Sequence, residues 1–159
     1  SQMEGISINK KPILLANTLI PVIRVFQSIA SAKQIALNFE IDPDLKVLAD
    51  ENMLQLVIRN ILSNAIKFTD SGGHIHLKVE SDYPNYVIKI SDNGIGMTDQ
   101  IKDSIFSLKA ESSFGTKNEK GVGLGLNLSK EFTDMQGGRI WFESTFGKGS
   151  TFYISLPIA

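Results

Sequence analysis

The sequence predicts an α/β layered fold of three helices and a mixed or antiparallel sheet. Helical and alternating apolar patterns follow one another along the chain, joined by short turns, with no internal repeat and no low-complexity tract. At 159 residues and 42% apolar content the chain suits a single core, since a domain of this size buries roughly 68–70% of its unfolded surface. It contains no cysteine, so neither disulfides nor thiolate-bound metals hold it together and packing must.

The elements follow in order. "PILLANTL" opens with a short apolar run, after which Asn17 or Thr18 is placed to cap a helix carrying Pro21 near its first turn. That helix should reach about Lys33, with Leu19, Ile20, Ile23, Phe26, Gln27 and Ala30 forming its core-facing stripe. "ALNFEID" alternates with period two and "KVLAD" follows the Asp42-Pro43-Asp44 turn, which predicts a hairpin. A second helix begins near Asp50 or Glu51, whose acids suit a helix N-terminus. "HIHLKVES" and "YVIKISD" flank a turn at Pro84 and Asn85 and read as paired antiparallel strands. "TDQIKDSIF" predicts a short helix capped by Thr98. From Ser107 to Val122 no apolar period survives, so a long mobile loop is expected. A third helix should run from about Gly123 to Met135 and stop at Gly137-Gly138, and "RIWFES" with "STFYISLP" closes the chain as a hairpin around Gly147.

Sixteen basic and seventeen acidic residues give a net charge of −1, so no global field favours nucleic acid or an anionic membrane surface. No apolar run approaches the roughly 20 residues that cross a bilayer, and no signal-peptide order of basic, apolar and small residues is present. A soluble domain is expected. "SQMEGISINKKP" begins in the middle of a polar segment without an initiator Met and reads as the tail of something longer.

Chemistry concentrates in glycine-rich stretches. "GVGLGLNLSK" spaces three glycines at every second position before an amphipathic run. A dinucleotide fingerprint needs glycine where Leu126 stands, and a Walker loop needs Ser or Thr after Gly-Lys, where Gly149 follows Gly147-Lys148. Both fail. What remains is a loop feeding a helix N-terminus, whose free N–H groups and positive dipole end favour an anion; alone it is equally a glycine-rich hinge.

Three further places bear on the choice. In "ENMLQLVIRNILSNAIKFT", Asn60, Asn64 and Lys67 fall at i, i+4 and i+7 on one helix face, opposite Leu54, Val57, Ile58, Ile61, Leu62 and Ala65. That polar stripe is expected to face solvent or a ligand: an amide oxygen is a hard ligand fit for Mg²⁺, and an ammonium is a point charge for phosphate. "SDNGIGM" ends a strand at Asp92, with Gly94 and Gly96 turning the backbone beside a carboxylate able to accept from an exocyclic amine such as that of adenine. "FGKGSTFYI" places Ser150 and Thr151 at the start of the last strand and is otherwise a plain hairpin.

"NILSNAIKFT", "DNGIGM", "GVGLGL" and "GKGSTF", in this order and spacing, resemble the nitrogen box and the three glycine boxes of the catalytic ATP-binding domain of two-component sensor histidine kinases, over about Ile13 to Pro157. "IFSLKAESSFGT" resembles the family's phenylalanine box, with Phe106 and Phe114. The resemblance implies the Bergerat fold: an α/β (α+β) two-layer sandwich, a mixed and mostly antiparallel sheet with three main helices on one face, and a mobile ATP lid where the loop at Ser107 to Val122 lies. It implies residues 1–12 as the tail of an upstream dimerisation helix with its linker, and 13–159 as the ATP-binding domain.

The cofactors it implies are ATP and Mg²⁺. By matching position, Asn64 would coordinate Mg²⁺, Asn60 would support the metal or its water, and Lys67 would approach the phosphates. Asp92 would bind the adenine amine, Gly94 and Gly96 would shape the pocket, and Thr151 would complete it. Phe106, Gly121, Gly123, Leu124, Gly125 and Leu126 would belong to the ATP-binding surface, and Lys117 and Lys120 would reach the terminal phosphate.

Topoisomerases, mismatch-repair ATPases and heat-shock chaperones resemble one another in placing a glutamate four residues before the metal-binding Asn. Here that position is Asn60, so a general base for hydrolysis is missing. The expected activity is therefore transfer of the ATP γ-phosphate to a histidine on the absent dimerisation domain, for onward passage to an aspartate of a response regulator receiver domain. The fragment alone should not autophosphorylate. His74 and His76 lie in an alternating strand outside the family's phosphoacceptor context, and a structural role is expected for both. The implied setting is the cytoplasmic side of a membrane-anchored bacterial sensor, with no nucleic acid partner and no membrane contact by this domain. A turnover ATPase of the same superfamily and a degenerate nucleotide-binding regulatory module remain the alternatives.

Overall fold

A computed structural model describes residues 7–106 and 123–159. Apolar side chains at alternate positions, such as Ile75 and Leu77, Ile88 and Ile90, and Phe152, Ile154 and Leu156, give the strands one buried face. These faces line up on one side of a five-stranded sheet in the order β2 (Ala36–Glu40), β4 (His74–Asp82), β5 (Asn85–Asp92), β7 (Gly149–Pro157), β6 (Arg139–Thr145). β2 and β4 run parallel and the other neighbours antiparallel.

The helices α1 (Leu15–Ala32), α2 (Glu51–Lys67) and α4 (Gly123–Met135) form the second layer; α2 lies between the other two and reaches β5. Asp50 caps α2 by accepting the Met53 N–H at 3.0 Å, and Thr98 caps the short α3 (Asp99–Ser104) through the Ile101 N–H. Leu54, Val57, Ile58, Ile61 and Leu62 of α2 are at most 1% exposed. Each Leu or Ile so buried contributes roughly 1.5–3 kcal/mol, which makes α2 the central strut of the core.

Two expectations are corrected. α1 starts at Leu15, ahead of Asn17 and Thr18, and no side chain caps it. β1 (Lys11–Leu14) runs straight into the helix, and the Leu15 N–H bonds the Leu45 carbonyl at 2.9 Å, so a neighbouring loop does the work of a cap. Pro21 consequently lies in the helix interior, beyond the first turn. The expected hairpin between "ALNFEID" and "KVLAD" does not form either. β3 (Lys46–Ala49) leaves the large sheet and pairs antiparallel with β1, bringing the buried Ile13 and Val47 into register, while β2 takes β4 as its partner. Alternation specifies a strand and its inward face; it does not specify the neighbour.

The expectation that no run approaches a bilayer-crossing length is corrected: by length and composition the 18-residue α1 is apolar enough to cross a membrane. In the fold its Leu15, Leu19 and Ile23 are fully buried in the core. The segment before α1 is also tied in: β1 begins at Lys11, and the Asn9 N–H donates to Asp50 Oδ2 at 2.9 Å.

Candidate functional site

The apolar row on the inner face of the sheet ends in polar residues. Ser144 on β6, Ser150 on β7 and Asp92 on β5 are register partners across three strands, one step beyond the apolar Phe142, Phe152 and Ile90. The chain leaving β5 must turn sharply under α2, and glycine makes this possible. A Cβ on Gly94 would land on the Phe68 carbonyl oxygen at the end of α2, and one on Gly96, where φ is +70°, on the Thr145 carbonyl oxygen. The turn is pinned by the Ile95 N–H to Phe68 O (3.0 Å), the Gly147 N–H to Ile95 O (2.6 Å) and the Met97 N–H to Ser144 Oγ (2.8 Å).

Asp92 is held from the turn after its own strand and from the neighbouring β7. Oδ1 accepts the Gly94 N–H at 2.9 Å and the Ser150 N–H at 3.3 Å. Both bonds go to one oxygen, which leaves Oδ2 without a hydrogen bond among the described residues. Burial pushes the carboxyl up to about 6, against the opposing pull of those two N–H groups.

Asp92 and Ser150 form a polar end of a cavity that opens to solvent. Its walls are largely apolar, built from residues such as Met97, Ile101, Ile105, Leu126, Phe146 and Phe152. A pocket of this kind takes a largely apolar ligand group and orients it by a few polar groups. Asn64 of α2 stands on the same cavity. Its Nδ2 donates to the Asn60 carbonyl at 2.9 Å, so the amide is oriented and Oδ1 accepts no hydrogen bond among the described residues.

A divalent cation fits here in a specific way. Among the described residues no group of three or more His, Asp or Glu side chains could hold one. Asn64 Oδ1 supplies one hard, neutral oxygen, which suits Mg²⁺ bound mainly through substrate phosphates and water.

The other residues anticipated from sequence divide sharply. Asn64, Asp92, Gly96 and Leu126 line the cavity, and Gly94 forms the turn beside it. Asn60 points into the helix layer, where Nδ2 donates to Ser129 Oγ of α4 at 3.2 Å. Lys67 is only 9% exposed at the last turn of α2 and does not line the cavity. The polar stripe therefore does not face solvent throughout: α4 covers part of it. Phe106 packs edge-on against Phe142 and Phe152, at centroid distances of 5.6 and 6.5 Å, and supports the wall from behind.

Thr151 does not line this cavity: its hydroxyl bonds Ser91 Oγ at 3.1 Å across the strands, and Ser150 takes the position on the cavity wall. The signal was present in the alternation, since Ser150, Phe152, Ile154 and Leu156 share one parity and the buried side must be theirs. Phe114, Lys117, Lys120 and Gly121 lie outside the described residues, as does most of the loop expected to be a lid. Gly123, Leu124 and Gly125 begin α4. His74 is exposed and His76 Nε2 lies 3.3 Å from Glu40 Oε2 on the neighbouring strand; the two flank Ile75, the register partner of Asp92 on β5, and neither lines the cavity.

Residues 49–159 match the family described as histidine kinase-, DNA gyrase B-, and HSP90-like ATPase. The chain is 36% identical over 146 residues to the adaptive-response sensory kinase SasA of Synechococcus sp. (strain JA-3-3Ab), covering 91% of this chain and 38% of that protein. It is 31% identical over 160 residues to the autoinducer 2 sensor kinase/phosphatase LuxQ of Vibrio harveyi, covering 96% of this chain and 19% of that protein. The chain thus spans well under half the length of these curated relatives. Among solved structures, the catalytic domain of histidine kinase ThkA superposes with a TM-score of 0.81 at 27% identity, covering 94% of this chain and 96% of that one. Full-length ShkA in complex with AMPPNP superposes with a TM-score of 0.79 at 25% identity, covering 97% and 32%.

Proposed function

The chain belongs to the histidine kinase-, DNA gyrase B-, and HSP90-like ATPase family, and from that premise we propose that it is the Mg·ATP-holding half of a protein histidine kinase. It presents the γ-phosphate to a histidine carried on a separate dimerisation domain of the parent protein. The phosphoryl group then passes to an aspartate of a response regulator receiver domain. The observation that carries this reading is the cavity that joins a half-buried strand-end carboxylate to Asn64, with no second carboxylate in its lining among the described residues.

Each end of the cavity has its own task. Asp92 Oδ2 accepts the exocyclic amine of adenine, and the apolar walls sandwich the ring. Asn64 Oδ1 would hold the Mg²⁺ that comes with the nucleotide, and the charge such an ion supplies would offset that of the phosphates. Asn60, whose amide is engaged with Ser129, keeps α2 and α4 in register beside the phosphates and supplies no base to activate water. Phosphoryl transfer depends mostly on placement and charge neutralisation, so a fragment of this kind holds ATP and waits for its nucleophile. Such a domain works on the cytoplasmic side of a membrane-anchored sensor.

The test is to join the chain to its upstream histidine-bearing helices and look for acid-labile, ATP-dependent phosphorylation. Transfer to that histidine is expected. Steady ATP hydrolysis by the 159-residue chain alone would instead favour a turnover ATPase.

A further inference from the structure

We propose that Ser144 is a positioning residue that makes the purine end of the cavity an acceptor-only surface, and so selects a 6-amino purine over a 6-oxo purine. This rests on the reading of the cavity as a nucleotide site and goes beyond it by assigning the origin of base selectivity.

The hydroxyl of Ser144 meets three partners. It accepts the Met97 N–H at 2.8 Å, lies 3.2 Å from the Gly149 carbonyl oxygen, and lies 2.8 Å from the Ser150 hydroxyl. A serine hydroxyl has one proton and two lone pairs. A carbonyl oxygen can only accept, so the Gly149 contact takes the Ser144 proton. The Ser150 contact is then satisfied in one direction alone, with Ser150 donating to Ser144. All three contacts are made only by this arrangement.

Its consequence falls inside the cavity. The single Ser150 proton is spent on Ser144, so Ser150 Oγ turns lone pairs toward the cavity it lines. Beside it Asp92 offers Oδ2, whose Oδ1 is already taken by the Gly94 and Ser150 N–H groups. Two acceptors without a donor suit an amino group, which has two protons to give, directly or through a water. They leave a 6-oxo group facing lone pairs. A site built to pair with one group discriminates strongly against the analogue that leaves its polar atoms unpaired.

Ser144 itself stands on β6, and its bonds also tie the turn at Met97 to the start of β7. Its removal therefore loosens the wall as well as freeing the Ser150 proton. The two effects separate by base. A loosened wall weakens both purine nucleotides alike, while a freed Ser150 proton favours the oxo base in particular.

The experiment is titration of the full 159-residue chain with ATP and with ITP, in Mg²⁺, for the parent, Ser144→Ala and Ser144→Thr. The parent is expected to prefer ATP, Ser144→Ala to shrink that preference about tenfold, and Ser144→Thr, which keeps the hydroxyl, to restore it. Equal losses for both nucleotides in Ser144→Ala, with the preference unchanged, would reduce Ser144 to a structural residue and overturn the proposal. A parent chain that binds neither nucleotide overturns the nucleotide site itself, and a parent that binds both equally removes the selectivity that Ser144 is meant to explain.

Discussion

The two ends of the cavity are built from different materials. At the Asp92 end, strand termini, glycines and backbone N–H groups meet at contact distance, and hardly an atom can be added: Gly94, Gly96 and Gly149 each face a backbone carbonyl where a Cβ would stand. At the Asn64 end, side chains on one helix do the work, and α4 closes over them through Asn60 and Ser129. A backbone-built end reads a rigid base and tolerates little change. A side-chain end can be edited one group at a time, which suits a region that must admit phosphates, a metal and a nucleophile from elsewhere.

The contrast can be broken at its strongest point first. Gly94→Ala forces a methyl group onto the Phe68 carbonyl, and we expect a loss of about 2–3 kcal/mol in stability together with nucleotide binding, measured as a lower urea midpoint and a flat titration. A variant as stable as the parent would mean that the turn yields and the end is not rigid. At the opposite end, Asn64→Ala should leave the urea midpoint nearly unchanged and cut Mg²⁺-dependent ATP affinity by about 100-fold. Unchanged affinity in Mg²⁺ would remove Asn64 from the metal.

A third test uses pH and bears on the Asp92 end alone. Because burial raises the Asp92 pKa to about 6 from 3.8, the free fold favours the protonated acid. That contribution is complete below about 4 and is lost as pH rises through about 6, amounting to roughly 2–3 kcal/mol. Asp92→Asn should therefore be the more stable protein at pH 8 and lose its advantage near pH 4. Binding runs the other way, since the amine seeks the carboxylate: ATP affinity should fall up to about tenfold per pH unit below 6. A flat affinity profile between pH 5 and 7.5 in the parent would count against Asp92 as the acceptor. Smallest of all, Ser129→Ala deletes the partner of Asn60 and should cost about 1 kcal/mol, read as a modest drop in thermal midpoint with binding retained.

Much of this was legible in the chain. The spacing of apolar residues set the strands β4 to β7 and the helices α2 and α4 close to where they are found, because each needs only its own residues and one buried face. The caps at Asp50 and Thr98 were equally local. Asp92 and Asn64 could be singled out because a carboxylate beside glycines and an amide in mid-helix are both costly without a purpose.

What the sequence by itself determined, then, was the inventory: elements, inward faces, and the residues whose chemistry asks for a ligand. Partnership belonged to the tertiary structure. β3 left the expected hairpin for β1 because pairing Ile13 with Val47 buries both. Asn60 turned out to contact Ser129, 69 residues away along the chain. Ser150 and not Thr151 lines the cavity, because strand parity, once tied to the buried row, allows one inward residue of the two. The Ser144 network joins β6, the start of β7 and the turn at Met97, with bonds that no single segment contains. Local patterns are written within a few residues, whereas contact geometry is a property of segments far apart in sequence, and only packing brings those together.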